Sequence, residues 1–115
     1  MLAVDRLLQI ETLFATQVAR MVVMELDEER LRVVLYFEDG SNLRITELWN
    51  GDALSRYSYY WLTAENELKT GWDNAPHHTR LLNFPHHKHL GRQASMQPSF
   101  ETTLEDVMQA IVKPS

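Results

Sequence analysis

The chain has 115 residues, 44% of them apolar, a formal net charge of −5 and no cysteine. That length and apolar share suit one hydrophobic core, so a single domain over residues 1–115 is expected. Disulfide staples and thiolate zinc sites are excluded. No apolar run nears the roughly 18 residues of a membrane-spanning helix, and no basic-then-apolar leader opens the sequence, so a cytoplasmic protein without membrane contact is expected.

In chain order, Leu2, Val4, Leu7, Leu8, Ile10, Leu13 and Phe14 fall mostly three and four residues apart. This spacing predicts an amphipathic helix of about four turns lying on a sheet. Val18 to Leu26 is rich in Val and Met and runs into Asp27-Glu28-Glu29-Arg30, a polar turn. A hairpin follows around Glu38-Asp39-Gly40. A type I turn with Gly40 in the left-handed region pairs Phe37 with Ser41, Leu35 with Leu43, Val33 with Ile45 and Leu31 with Glu47. A two-residue Asp-Gly loop would scatter the aliphatics over both faces, so the longer loop is preferred and the odd-numbered face is core.

Asn50-Gly51-Asp52 breaks the pattern before a second hairpin, Ser55 to Thr63 and Leu68 to Asn74. Pairing Thr63 with Leu68 sets Trp61 opposite Thr70, Tyr59 opposite Trp72 and Tyr57 opposite Asn74, an aromatic face that packs on a helix. The other face carries Arg56, Ser58, Tyr60 and Leu62 against Lys69, Gly71 and Asp73. Gly71 leaves space across from Tyr60, and the polar groups have no apolar reason to be there. That face is expected to front a site.

All five histidines lie between His77 and His89, within Asp73-Asn74-Ala75-Pro76-His77-His78 and Phe84-Pro85-His86-His87-Lys88-His89. Residues 77–100 hold Arg80, Lys88 and Arg92 and no acid, so an acidic chain has one local cationic segment. An acidic total argues against gripping long duplex DNA but leaves room for a pocket that holds a few phosphates. Pro76 and Pro85 push the residues before them into extended geometry, which predicts an irregular loop with an extended second half. If His86 to His89 is extended, His87 and His89 share one side, roughly 7 Å apart, and His86 and Lys88 the other. Thr102 with Glu105 reads as a capping box before a short C-terminal helix. The expected fold is α+β: N-terminal helix, antiparallel meander of about five strands, His-rich loop, short C-terminal helix.

Arg56-Tyr57-Ser58-Tyr59, Asp73-Asn74-Ala75-Pro76-His77-His78, Phe84-Pro85-His86-His87-Lys88-His89 and Leu104-Glu105-Asp106-Val107 together resemble the TumE family of toxins from type II toxin–antitoxin pairs, from about Leu31 onward. Many members of that family carry a histidine after Tyr59, where this chain has Tyr60. The resemblance implies a prokaryotic toxin with a DNA-binding antitoxin of helix-turn-helix type as partner.

The residue types suggest metal-independent RNA cleavage. One histidine would take the 2′-hydroxyl proton, a second would protonate the leaving oxygen, and Lys88 with Arg56 would stabilise the phosphorane. The catalytic candidates are His87, His89, Lys88, His77, Arg56 and Tyr60, with Arg80, Arg92, Asn74 and His86 as RNA contacts and no cofactor. An alternative is a divalent transition metal held by His87, His89, His77 or His78, and Asp73. A third reading is a non-enzymatic module that docks its antitoxin through the His-rich loop. Structural roles compete at each position: Asp73 and Asn74 as an Asx turn, Arg56 as an ion-pair partner of Asp73, Phe84 and the tryptophans as core. An unpaired sheet edge makes a homodimer the expected assembly.

Overall fold

A computed structural model of the chain describes residues 1–76 and 83–112. The element order is α1 (Ala3–Leu13), β1 (Arg20–Leu26), β2 (Arg30–Tyr36), β3 (Asn42–Asn50), β4 (Ala53–Leu62), β5 (Leu68–Asp73), β6 (His87–Leu90), β7 (Met96–Pro98) and α2 (Leu104–Val112). The strands form one antiparallel sheet in sequence order, β1 to β7. Among the described residues no helix is long and apolar enough to cross a membrane.

The α+β expectation holds, with seven strands where about five were expected. The additional pair comes from the extended half of the His-rich segment. His87–Leu90 pairs with the otherwise open edge of β5, and Met96–Pro98 then pairs with β6. An extended chain beside an unpaired edge satisfies its backbone groups by joining the sheet. Pro98, which has no N–H to give, sits in the outermost strand, where that loss is tolerated.

The first hairpin adopts the expected register, with Leu31, Val33 and Leu35 opposite Glu47, Ile45 and Leu43. Gly40 has φ +88°, and Phe37 N–H donates to Ser41 O at 2.9 Å. In the second hairpin Tyr59 faces Trp72 and Trp61 faces Thr70 as expected, but Leu62, not Thr63, faces Leu68. A bulge after Trp61 absorbs the difference. Thr63 N–H instead donates to Glu67 O across a turn that places Asn66 at φ 64°.

Both helices cover the same sheet face. Ile10 and Phe14 of α1, and Leu104, Val107 and Met108 of α2, join Leu31, Val33, Leu35, Leu43, Ile45, Tyr57, Tyr59 and Trp72 in one core. The apolar stripe expected on α1 is rotated. Leu7, Ile10 and Phe14 meet the sheet, whereas Leu2, Val4, Leu8 and Leu13 are exposed.

The cause is Arg6, which occupies the centre of the inward face. Its Nε and Nη2 hold Glu47 of β3 at 2.8 and 3.1 Å, and Nη2 and Nη1 hold Glu105 of α2 at 2.9 and 3.2 Å. Glu47 is fully buried and also accepts from the Tyr59 hydroxyl at 2.6 Å and from Trp49 Nε1 at 3.0 Å. Burial, then the Glu47 charge, pushes the Tyr59 phenol well above its usual range, so it donates as a neutral hydroxyl. Because Glu105 is engaged by Arg6, the expected box between Thr102 and Glu105 does not form. Thr103 Oγ1 caps Asp106 N at 3.1 Å, and Asp106 Oδ2 accepts from Thr102 N at 3.1 Å.

Arg6→Met leaves Glu47 charged and uncompensated in the core, and should cost about 3–5 kcal/mol of stability by urea denaturation. Glu105 adds a pH signature. The hydrogen bond from Arg6 holds its carboxyl below the ordinary 4.5, so its stabilising effect is complete above pH 4.5 and is lost as pH falls through the lower folded value. The acid-side fall in urea midpoint should be shallower in Arg6→Met than in the wild type.

Candidate functional site

The registers of β4, β5 and β6 build the site. Ser58, Asp73 and His87 lie side by side across the three strands, and Tyr60, Gly71 and His89 form the adjacent row. Their neighbours Tyr59 and Trp72 point into the core, so these six residues share the face without helices.

Asp73 is the hub. Its Oδ1 lies 2.8 Å from His87 Nε2 and 2.9 Å from Ala75 N; its Oδ2 lies 3.4 Å from His89 Nε2 and 3.3 Å from the Tyr60 hydroxyl. His87 Nδ1 is 3.1 Å from Pro85 O, and His89 Nδ1 is 2.7 Å from Gln93 O. The two rings meet edge to face, centroids 5.1 Å apart. All three side chains are buried. Burial, then the Asp73 charge, raises the Tyr60 phenol above its usual value, keeping it a neutral donor.

Gly71 makes this possible. A Cβ there would lie 2.3 Å from Tyr60 Cδ1, so the Tyr60 ring rests directly across the β5 backbone on its way to Asp73. The space expected opposite Tyr60 is filled by Tyr60 itself.

Of the expected site residues, Asp73, His87, His89 and Tyr60 come together. Both nitrogens of each histidine ring have partners, so the arrangement fixes the rings in place. Lys88 does not join them. Alternation turns it to the helix-covered face, where its Nζ is 3.1 Å from Glu101 Oε1, and Trp72 Nε1 donates to the same oxygen at 3.2 Å. Against the opposing pull of burial, these hydrogen bonds hold the Glu101 carboxyl below its usual value. His86 is also on that side, its Nδ1 2.9 Å from the Tyr57 hydroxyl, and burial lowers its pKa.

Asn74 is occupied by backbone: its Oδ1 accepts from Tyr57 N at 2.8 Å and its Nδ2 donates to Ser55 O at 3.1 Å, completing the β4–β5 ladder with side-chain atoms. Arg92 is exposed in the turn after β6. Arg56 is exposed on the helix-free face, two residues before Ser58, and does not pair with Asp73. His77, His78 and Arg80 lie outside the described residues.

The basic surface is elsewhere than the charge count along the chain suggests. Arg20 faces Tyr36, Arg30 faces Leu48, Arg32 faces Thr46, Arg44 faces Val34 and Tyr60, and Leu48 faces Arg56, so five arginines share the helix-free face with Asp73, His87 and His89. Glu25 pairs with Arg30 at 3.4 Å and Arg32 at 3.7 Å, and Arg20 stacks on Tyr36. Among the described residues Arg44 and Arg56 are in no ion pair. A shallow depression of about 350 Å³ lies between Arg30, Thr46, Leu48, Arg56, Tyr57 and Ser58. The signal was present in the sequence: once Val33 faces Ile45, Arg32 and Arg44 must occupy the opposite face.

Gly71→Ala should displace the Tyr60 ring, break its hydrogen bond to Asp73 and cost about 1–3 kcal/mol. In a Tyr60→Ala background the same change should cost far less, which a double-mutant cycle by urea denaturation measures.

Neither comparison with curated proteins nor comparison with solved structures finds a match. A family model described as Toxin TumE matches residues 4–114, so the match takes in α1 as well as the segment from Leu31 onward that carries the sequence resemblance. The match also spans the whole meander and both site-bearing rows. The chain belongs to the TumE family of toxins.

Proposed function

We propose that this toxin acts on RNA, gripping phosphates on the helix-free face and cleaving beside Asp73, His87, His89 and Tyr60. The observation that carries the reading is the clustering of five arginines on one face of a chain whose net charge is −5. Among the described residues, the carboxylates set against these five arginines on that face by the strand registers and ion pairs are Glu25 and Asp73.

The reaction class is transesterification by the RNA's own 2′-hydroxyl. The 2′-oxygen passes its proton to solvent water and bonds to phosphorus, the bond to the 5′-oxygen breaks, and that oxygen leaves with a proton taken from solvent water. The negative charge that builds on the phosphorane is what positive groups beside the scissile phosphate stabilise. Among the described residues, Arg44, next to Tyr60, and Arg56, along the strand from Ser58, are the strand arginines nearest the trio in register, and neither is in an ion pair. Lys88, on the other face and paired with Glu101, has no part in this.

An antitoxin is the partner that membership of a toxin family implies, and this reading expects it to carry a helix-turn-helix DNA-binding unit. It expects action in the cytoplasm, where RNA is. It also expects a homodimer through β1, whose outer edge has no strand partner among the described residues and bears exposed Val23, Met24 and Leu26.

The test is binding and cleavage of single-stranded RNA by purified protein, alongside growth arrest on expression. Arg44→Glu with Arg56→Glu should weaken RNA binding at least about tenfold at 0.1 M salt and flatten the logarithmic salt dependence by about 0.7 per lost phosphate contact. The same pair should relieve growth arrest. Unchanged RNA affinity and unchanged toxicity would defeat the reading.

A further inference from the structure

We propose that Asp73, His87 and His89 form a binding site for one divalent transition-metal ion, with zinc the best fit. One ligand atom from each residue lies within 4.8 Å of the others, and all three side chains are buried. The hydrogen bonds on the far side of each ring identify what the converging atoms are. His87 Nδ1 faces Pro85 O and His89 Nδ1 faces Gln93 O, and a backbone carbonyl only accepts. Both Nδ1 atoms therefore carry hydrogen, and in the neutral rings both Nε2 atoms carry lone pairs.

Those two lone pairs aim at one carboxylate, at 2.8 and 3.4 Å. Acceptor against acceptor at such distances repels unless a cation lies between them. A single metal ion gives all three ligands one shared partner. Histidine ligands oriented by a backbone carbonyl on the other nitrogen are the arrangement metal sites use to fix tautomer and ring angle.

Zinc–ligand bonds of about 2.0–2.1 Å in a tetrahedron place ligand atoms about 3.3 Å apart, so three ligand atoms already within 4.8 Å of one another need a small inward turn of the side chains to close on one ion. Two imidazoles and a carboxylate suit zinc, nickel or iron; calcium and magnesium prefer oxygen alone, and soft copper(I) prefers sulfur. Asp73 is itself held by Ala75 N and the Tyr60 hydroxyl, so the carboxylate is oriented before any ion arrives. Three protein ligands leave a fourth position, where a bound ion would polarise a phosphate oxygen or a water molecule. The site is the one beside which RNA cleavage is proposed, but ion binding there does not depend on RNA contact by the arginine face.

The full chain, expressed without a polyhistidine tag and stripped with chelator, is titrated with zinc chloride by calorimetry, and the metal content is read by mass spectrometry. One zinc per chain and a higher melting temperature with zinc are expected. Asp73→Asn and His89→Gln should each weaken binding by more than about tenfold, while His86→Ala keeps one zinc. Should either ligand variant fail to fold, cobalt(II) loaded into the wild-type chain supplies the second measurement. Visible d–d bands of a four- or five-coordinate nitrogen and oxygen site support the proposal, and a spectrum of aqueous six-coordinate cobalt overturns it. Less than about one-tenth of a zinc per chain, or zinc lost in His86→Ala but retained in Asp73→Asn and His89→Gln, also overturns it, the latter by assigning the metal to other histidines of the chain.

Discussion

The alternation of side chains across three adjacent strands is the constraint on which the rest of this molecule depends. Tyr59 and Trp72 face each other in the core, and with the strand period fixed at two, every neighbour's direction follows. Ser58, Tyr60, Gly71 and Asp73 must face away from the helices, and pairing of β6 with β5 adds His87 and His89 to the same rows. A slip of one residue in β6 would trade the two histidines for His86 and Lys88. The Lys88–Glu101 pair and the His86–Tyr57 hydrogen bond on the helix side oppose that slip, as each would be lost.

The two faces of the sheet solve opposite electrostatic problems. Beneath the helices, Arg6 brings one positive charge to Glu47 and Glu105, and Tyr59 and Trp49 complete the hydrogen bonding of Glu47, so a buried carboxylate is satisfied at the junction of α1, β3 and α2. On the open face the balance is reversed. Arginines outnumber carboxylates, and the buried carboxylate, Asp73, is surrounded by imidazoles and a phenol. A chain that is acidic in total thereby presents one cationic surface, and total charge is a poor guide to what that surface meets.

Elements governed by local chemistry were legible in the sequence. The Glu38-Asp39-Gly40 turn set the β2–β3 register because a glycine at positive φ admits few alternatives, and the Tyr59–Trp72 pairing followed from keeping aromatics on one face. His87 and His89 sharing a side, with Lys88 opposite, followed from Pro85 extending the segment. What the sequence did not reveal depends on partners distant along the chain. Arg6 looked like a polar residue on an amphipathic helix because Glu47 and Glu105 are 41 and 99 residues away. The strand character of His87–Leu90 depends on an open β5 edge. The arginine face is hidden when charge is summed along the chain, because the acids between Arg32, Arg44 and Arg56 cancel them, and it emerges when charge is counted along alternate positions.

The most direct test of this arrangement is a map of side-chain nuclear Overhauser contacts in the full chain. The account predicts contacts between the imidazole protons of His87 and His89, and between the Lys88 side chain and the Trp72 indole across the β5–β6 pair. Contacts from Lys88 to Tyr60, or imidazoles of His87 and His89 on opposite sides of β6, would contradict it.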